Sequence, residues 1–207
     1  MVDGLERVDL VPPDKIKGFL GSYYPPPVLA PHFINKKLEE IYSVKRVHIV
    51  VNPFAGKKKG NEIADLISED LNESQIETHI HFTENRGHAE SIVSLLEFED
   101  GDALMSVGGD GTLSEIITGL LKREDNSSER IPISIIPSGS GNSQANDMEI
   151  VDYLDAINRV RKGHLRKMDV GKVTFMDGEE KKVRYSHNLV GWGLGVDANI
   201  LAEKMRF

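Results

Sequence analysis

The sequence predicts an α/β protein in which an open parallel sheet is covered by helices and followed by the start of a β-rich second domain. Three observations carry that prediction. Between residues 46 and 163, short β-branched apolar runs alternate with segments of helical spacing, the pattern of right-handed βαβ units. Glycine-rich stretches lie where three of those runs give way to the next helix, as loops at the carboxyl edge of a parallel sheet do. After Gly163 the helical spacing ceases, and strand-like segments follow with Asp177-Gly178 as a hairpin signal between them.

Residues 1–43 read as an N-terminal extension. Four prolines within YYPPPVLAPHF (23–33) favour an extended path, hence a linker or an arm packed on the domain. The domain itself covers 44–164. RVHIVVN (46–52) is a buried-strand candidate ended by Asn-Pro. NEIADLISEDL (61–71) repeats Ile63, Leu66, Ile67 and Leu71 at helical spacing, and ETHIHF (77–82) alternates as a strand. GHAESIVSLLEF (87–98) is helical and DALMSV (102–107) is a strand. TLSEIITGLLKRE (112–124) is a helix with one apolar stripe of Leu113, Ile116, Ile117, Leu120 and Leu121. IPISIIP (131–137) is a fourth strand, and VDYLDAINRVRKG (151–163) is a helix that stops at a glycine.

Residues 165–207 are expected to be the beginning of an incomplete β-rich domain. KMDVGKVTF and KKVRYSHNLVGW make one hairpin, and Val190, Trp192 and Leu194 share a strand face that needs further partners. A two-stranded ribbon is marginal alone. The segment from about Met168 is therefore expected to be poorly ordered or held by association.

The composition excludes several classes of function. With 39% hydrophobic and 28% charged residues the chain is an ordinary globular protein. A net charge of -8 argues against a broad nucleic-acid-binding surface. The absence of cysteine rules out disulfides, thiolate zinc sites and cysteine nucleophiles, and fits a reducing compartment. The first residues carry acids and no apolar stretch, unlike a signal peptide, and no apolar run approaches the ~18 residues of a membrane span. A cytoplasmic protein is expected.

The loop VGGDGT (107–112) poses the chemical question. Thr112 and Glu115 form T-x-x-E, a capping box for the following helix. That box needs none of Gly108, Gly109 or Gly111, which instead suit a loop whose backbone N–H groups face an anion beside the positive end of a helix. Asp110 would then lie against phosphate, where a Mg²⁺-organising carboxylate or a general base is at home. A second loop, NPFAGKKKGNE (52–62), joins a strand-breaking Asn52-Pro53 to Gly56, Gly60 and the charges of Lys57 to Lys59. It is not the Walker loop, which requires G-x-x-x-x-G-K-[ST]. The third, PSGSGNS (137–143), offers hydroxyls and amides from Ser138, Gly139, Ser140 and Gly141, with Asn142 placed to cap the next segment. His79 and His81 share a strand face, a polar one by that pattern, with no H-E-x-x-H nearby, and no G-x-S-x-G elbow supports a serine hydrolase.

VNPFAGKKKG, VGGDGTLSEIITGL and IPSGSGN, in that order, resemble the catalytic domain of the diacylglycerol kinase-type lipid kinases, the superfamily that includes sphingosine and ceramide kinases. TENRGHA (83–89) resembles that family's nucleotide-contacting loop after the second strand. GWGLGVDANILAEKMRF (191–207) is similar to the sphingosine (long-chain base) kinase pattern W-G-x-x-x-D-x-D-x-x-S-E-K-x-R. The likeness runs from about residue 45 onward.

The resemblance implies phosphorylation of a lipid hydroxyl with ATP and Mg²⁺, a sphingoid base first, with diacylglycerol or ceramide as alternatives. Its nucleotide site carries over to Asn52, Thr83, Asn85, Arg86, Gly109, Ser138 and Gly139, with Arg206 as a phosphate contact. Pro53, Phe54, Gly108, Gly111, Thr112 and Ser140 belong to the same loops. Asp110 matches the catalytic aspartate that takes the proton from the lipid hydroxyl; no residue is assigned as a metal ligand. Asp197 and Asn199 fall where the sphingosine kinases' D-x-D reaches the substrate. The second acid is here Asn199, and a neutral amide pairs more weakly with an ammonium than a carboxylate does.

In the family a β-rich second domain completes the lipid pocket, and this sequence stops just inside it. A nucleotide-binding half without turnover is therefore a second expectation. A third, an NAD kinase, shares G-G-D-G-T, but its downstream Asn-Glu pair has no counterpart, since NE occurs only at 61–62 and 72–73. Peripheral, transient membrane contact is expected of an enzyme whose substrate lies in a bilayer. The oligomeric state is not legible in the sequence.

Overall fold

The computed structural model describes residues 3–11, 19–20 and 41–188. In chain order the strands are β1 (Asp3–Val11), β2 (Phe19–Leu20), β3 (Arg46–Val51), β4 (Glu77–Phe82), β5 (Asp102–Gly108), β6 (Ile133–Pro137), β7 (Leu165–Arg166), β8 (Val170–Asp177) and β9 (Glu180–Ser186). The helices are α1 (Ala55–Lys58), α2 (Gly60–Glu73), α3 (His88–Leu95), α4 (Asp110–Leu121), α5 (Ser127–Arg130), α6 (Ser143–Asp147) and α7 (Tyr153–Lys162).

The larger sheet runs in the order β4-β3-β5-β6-β2-β7. Its first four strands are the four apolar runs of the sequence, and they are mutually parallel. Every residue of β5 is buried, as befits a strand with neighbours on both edges and helices on both faces. From β3 the chain moves outward to β4 and then returns to the other side of β3 as β5. Such a reversal opens a crevice between the carboxyl ends of the two inner strands. That crevice positions the site described below.

Alternation along the strands sorts the core into two layers. One face carries His48 and Val50 of β3 beside Leu104 and Ser106 of β5; the other carries Val47, Ile49 and Val51 beside Ala103, Met105 and Val107. α2 and α7 pack together on the second face, where Ser68 and Thr78 hydroxyls meet at 2.6 Å. α3 and α4 pack together on the first, where the Phe98 ring meets His48 edge-on at 5.5 Å. Ile49, Ile67, Leu71, Leu104, Leu113, Ile116 and Ile117 are sealed within these layers, and truncating any one to alanine would cost roughly 2–5 kcal/mol. In α2 the buried stripe is Ala64, Ile67 and Leu71; Leu66, which the spacing placed inside, is exposed.

Several helix ends differ from the sequence pattern by up to three residues, and two of them are instructive. α3 stops at Leu95 because Leu96 turns to extended backbone. The apolar residues beyond, Leu96 and Phe98, still pack on the core, which is why they continued the helical pattern. α4 begins two residues early, at Asp110, with Gly109 as its N-cap. The short helices α1, α5 and α6 carry too few residues to show a period, and none was expected.

The second sheet is β1-β8-β9, antiparallel throughout. The turn at Asp177-Gly178 forms as its sequence signals, with Gly178 at φ +64°. β8 and β9 are not the unsupported ribbon that their sequence suggested, because β1 pairs with β8 from Asp3 opposite Met176 to Val11 opposite Val170. β2 enters the larger sheet beside β6 and β7. The 1–43 extension thus contributes a strand to each sheet. Val190, Trp192 and Leu194 lie outside the described residues.

Candidate active site

Each parallel strand of the larger sheet ends at the same edge, and the strand order sets their loops side by side. The ladder carries on past the strands: Thr83 N–H donates to Val51 O at 2.8 Å, Asn52 N–H to Val107 O at 2.9 Å, and Ser138 N–H to Gly108 O at 3.3 Å. Thr83, Asn52, Gly109 and Ser138 therefore line up across four strands, over about 14 Å at the usual interstrand spacing. The sequence-predicted loops are brought together.

Asn52 turns the chain out of β3. Its side-chain Oδ1 accepts the Phe54 N–H at 3.0 Å, and its carbonyl accepts the Ala55 N–H at 2.9 Å. Pro53 is half-buried, whereas Phe54 is 69% exposed, so its ring stands in solvent outside the core. On the neighbouring loop Thr83 is buried, while Asn85 and Arg86 are exposed. The Asn85 carbonyl accepts the His88 N–H at 3.2 Å. Arg86 forms no ion pair among the described residues, leaving a guanidinium available to an anion.

The glycines divide into two kinds. A Cβ on Gly139 would lie 2.4 Å from the Gly109 Cα, and one on Gly108 would lie 2.4 Å from Thr112 Oγ1. These contacts belong to the protein's own packing: the loops after β5 and β6 press together backbone to backbone. Gly111, by contrast, is exposed and a Cβ there would meet nothing within 4 Å. It lies in the first turn of α4, where backbone N–H groups have no intrahelical partner and the helix dipole is positive. That open side of the loop is the one suited to an anion.

Asp110 is anchored by the backbone of another helix. Its Oδ2 accepts the Ser143 N–H at 3.0 Å and its Oδ1 the Gln144 N–H at 3.2 Å. It thereby caps α6, a role the sequence offered to Asn142. Asn142 occupies the N-cap position but makes no capping bond; instead it accepts the Gly139 N–H at 2.7 Å and donates to the Gly139 carbonyl at 2.8 Å. The serine loop is pinned at both ends in this way, with Ser138 buried and Ser140 exposed.

The expected capping box on α4 is absent. Gly109 holds the N-cap without a side-chain bond, and Thr112, already inside the helix, packs on Gly108. Glu115 reaches away instead, accepting the N–H groups of Gly87 at 2.8 Å and Ala89 at 3.2 Å. It caps α3 and holds the end of the 83–87 loop.

One residue near Asp110 escaped the sequence reading. His187 follows β9, and both of its ring nitrogens are buried without a hydrogen-bond partner among the described residues. Burial lowers its pKa, and the Asp110 carboxylate opposes that shift. A lone histidine in YSHNL carries no signal of this, since the proximity arises only where β9 crosses α4. Arg206, Asp197 and Asn199 lie outside the described residues.

His79 and His81 do share a face, but it is not a plain polar one. His48 lies between them and Asp102, with Nδ1 at 3.2 Å from His81 Nε2 and Nε2 at 3.5 Å from Asp102 Oδ2. Asp102 accepts two bonds from Arg46, at 2.9 and 2.7 Å. This cluster reaches the amino-terminal end of the sheet, away from the loops above. Among the described residues, no group of three His, Cys, Asp or Glu could hold a metal ion.

A parallel sheet with a crevice at its strand reversal, glycine loops and a helix N-terminus beneath them defines a nucleotide-binding α/β domain. The diacylglycerol kinase catalytic domain family matches residues 46–173, and the chain belongs to that family. It is 30% identical to sphingosine kinase 2 of Arabidopsis thaliana over 84% of this chain and 37% of that protein. It is 28% identical to the mitochondrial acylglycerol kinase of Mus musculus over 83% of this chain and 42% of that one. The solved structure of a diacylglycerol kinase from Bacillus anthracis strain Sterne aligns with a TM-score of 0.46 at 25% identity, covering 56% of this chain and 40% of the other. The chain thus spans well under half the length of these relatives. The family match sets aside the reading as an NAD kinase.

Proposed function

We propose that this chain carries the nucleotide-binding and proton-accepting half of an ATP-dependent lipid kinase. The observation that supports this best is Asp110: a carboxylate held by two backbone N–H groups at the head of α4, beside the open face of a glycine loop. Phosphoryl transfer needs positioned phosphates and an oriented nucleophile. Gly109, Gly111 and the first turn of α4 would receive phosphate; Arg86 adds a free cation; Asn52, Thr83, Ser138 and Gly139 shape the floor. Pro53, Phe54, Asn85, Gly108, Thr112 and Ser140 complete the loops, with Arg206 as a further phosphate contact. Asp110 then takes the proton of the acceptor hydroxyl as its oxygen attacks the γ-phosphorus.

Mg²⁺ would arrive with the nucleotide and screen the phosphate charge.

The substrate proposed is a sphingoid base, in keeping with the likeness to sphingosine kinases, with Asp197 and Asn199 facing its polar end. Asn199 in place of an acid would lower the preference for an amine-bearing lipid, and Asn199→Asp would raise it. No helix among the described residues is long and apolar enough to cross a membrane, and contact with the bilayer is proposed to be peripheral and transient.

The test is ATP-dependent phosphate transfer by the chain to sphingosine, diacylglycerol and ceramide, alone and with the C-terminal β-rich part of a related kinase added. Transfer to sphingosine that Asp110→Asn abolishes is the expected result. ATP binding without transfer to any lipid, in both preparations, would leave a nucleotide-binding protein and overturn the kinase reading.

A further inference from the structure

α6 is the element that grips Asp110, and it is too short to hold itself. A helix of five residues closes few bonds of its own, so its neighbours must place it. Within it only Gln144 and Ala145 are buried. At its amino end the Ser143 and Gln144 N–H groups reach the Asp110 carboxylate at 3.0 and 3.2 Å. A Cβ on Gly141, two residues before the helix, would lie 3.3 Å from Asp110 Oδ2. The carboxylate therefore has little slack against the start of α6.

Arg159 of α7 holds the other end. Its Nη1 donates to the Met148 carbonyl at 2.7 Å and its Nη2 to the Glu149 carbonyl at 2.8 Å. Met148 is the C-cap of α6, five residues and about 7.5 Å beyond Ser143. Glu149 follows at φ +55°, a backbone conformation that residues with a Cβ rarely adopt. The guanidinium is itself fixed by Asp155, through Nε at 3.1 Å and Nη2 at 2.9 Å. Arg159 is only 5% exposed, and a buried ion pair adds little net stability over an apolar residue of its size. What the guanidinium supplies is geometry: its rigid fork spans two carbonyls and a carboxylate at once, which lysine cannot do.

We propose that Arg159 is a positioning residue for Asp110, acting along α6; the role rests on the kinase reading above. Arg159 fixes the carboxyl end of α6, α6 fixes the Asp110 carboxylate, and the carboxylate meets the acceptor hydroxyl. Each Asp110 oxygen gives one lone pair to α6 and keeps another for the proton of that hydroxyl. Releasing the far end of α6 lets the near end shift, and about 1 Å at a reacting group can cost about 10²-fold in rate. Asn52, Thr83 and Arg86 follow other strands, so the effect falls on transfer and not on ATP binding.

The experiment uses the full chain, with the C-terminal β-rich part of a related kinase added if transfer requires it. Arg159→Met keeps an apolar stem and removes every bond of the guanidinium; Arg159→Lys keeps the charge without the fork. Amide exchange by NMR reads the coupling without turnover. The Ser143 and Gln144 N–H groups are expected to exchange at least about tenfold faster in both variants, while β5 keeps its protection. Unchanged exchange overturns the coupling. Transfer to sphingosine, diacylglycerol or ceramide, whichever wild type phosphorylates, reads the consequence. The expected kcat falls on the order of 10²-fold in Arg159→Met and less in Arg159→Lys, with KM for ATP unchanged. Should Arg159→Met fail to fold, Arg159→Lys carries both readouts. Wild-type kcat in the variants overturns the positioning role and leaves the kinase reading. A fall in kcat accompanied by a raised KM for ATP and lost protection of β5 does the same, because it marks a general loosening. A wild type that transfers phosphate to no lipid overturns the kinase reading and the positioning role with it.

Discussion

Glu115 and Gly87 are joined across two helices: the carboxylate of α4 accepts the N–H that opens the approach to α3 at 2.8 Å. Asp110 lies five residues earlier on the same helix, about 140° around its axis, and grips α6 on another side. One helix thus sets the position of loops on both flanks of the glycine loop. A displacement of α4 moves all three together.

The Glu115 bonds are expected to matter to binding before they matter to the fold. Glu115→Ala removes the acceptor for two helix-end donors and should cost about 1–2 kcal/mol in urea denaturation. ATP affinity by calorimetry should fall several-fold as the 83–87 loop loosens. An unchanged affinity would show that Asn85 and Arg86 take no part in holding nucleotide.

Gly139 and Gly111 should separate packing from binding. Gly139→Ala forces a Cβ against the Gly109 backbone and is expected to destabilise the domain by roughly 1–3 kcal/mol, with ATP binding lost. Gly111→Ala has open space and should leave stability within about 0.5 kcal/mol while weakening ATP. Equal effects of the two on thermal stability would contradict the division.

Asp110→Asn bears on both chemistry and structure. The amide presents an N–H₂ where the carboxylate met a backbone donor, so one of the two bonds to α6 is lost, at about 1–2 kcal/mol. Phosphate transfer should disappear while ATP binding persists. Turnover comparable to wild type would remove Asp110 from proton transfer.

The four parallel strands and their helices were legible because β-branched runs and 3.6-residue spacing are local properties. The loops of the site were legible for a related reason: glycine, serine and asparagine mark strand ends directly. Partnership was not. Glu115 stands where a capping box predicts it should fold back, yet the N–H groups it meets lie at the start of α3, on its first turn and its N-cap, twenty-six and twenty-eight residues away in sequence. Asn142 yielded its capping role to Asp110, again across a long separation. His187 was invisible because nothing in its neighbours says which helix β9 will cross. The two strands of the proline-bearing extension were missed because β1 pairs with β8, far along the chain, and β2 is only two residues long.

The histidine cluster makes stability depend on pH. Burial, only partly offset by Asp102, lowers the His48 pKa to about 4, and burial lowers that of His81 as well. Folded His48 therefore stays neutral while the unfolded chain takes up a proton near 6.5. The unfolded state binds more protons as pH falls, so stability is full above pH 6.5 and declines between 6.5 and about 4, by at most about 3 kcal/mol for this group at 1.36 kcal/mol per unit. Urea midpoints measured between pH 7.5 and 4 should show the decline, and His48→Gln should flatten it. A flat profile in wild type would contradict the burial of a neutral ring.

The pairing of β1 with β8 has a consequence for the order of assembly. Asp3 finds Met176 and Val11 finds Val170, so the smaller sheet joins the two most distant parts of the described chain. Contacts of such separation form late, because the intervening loop must be closed first. During synthesis at about 5–20 residues per second, β1 emerges roughly ten to thirty seconds before its partner. The parallel sheet around β3 and β5 can close in that interval without it. The earliest strand of the described chain is thus among the last to find its place.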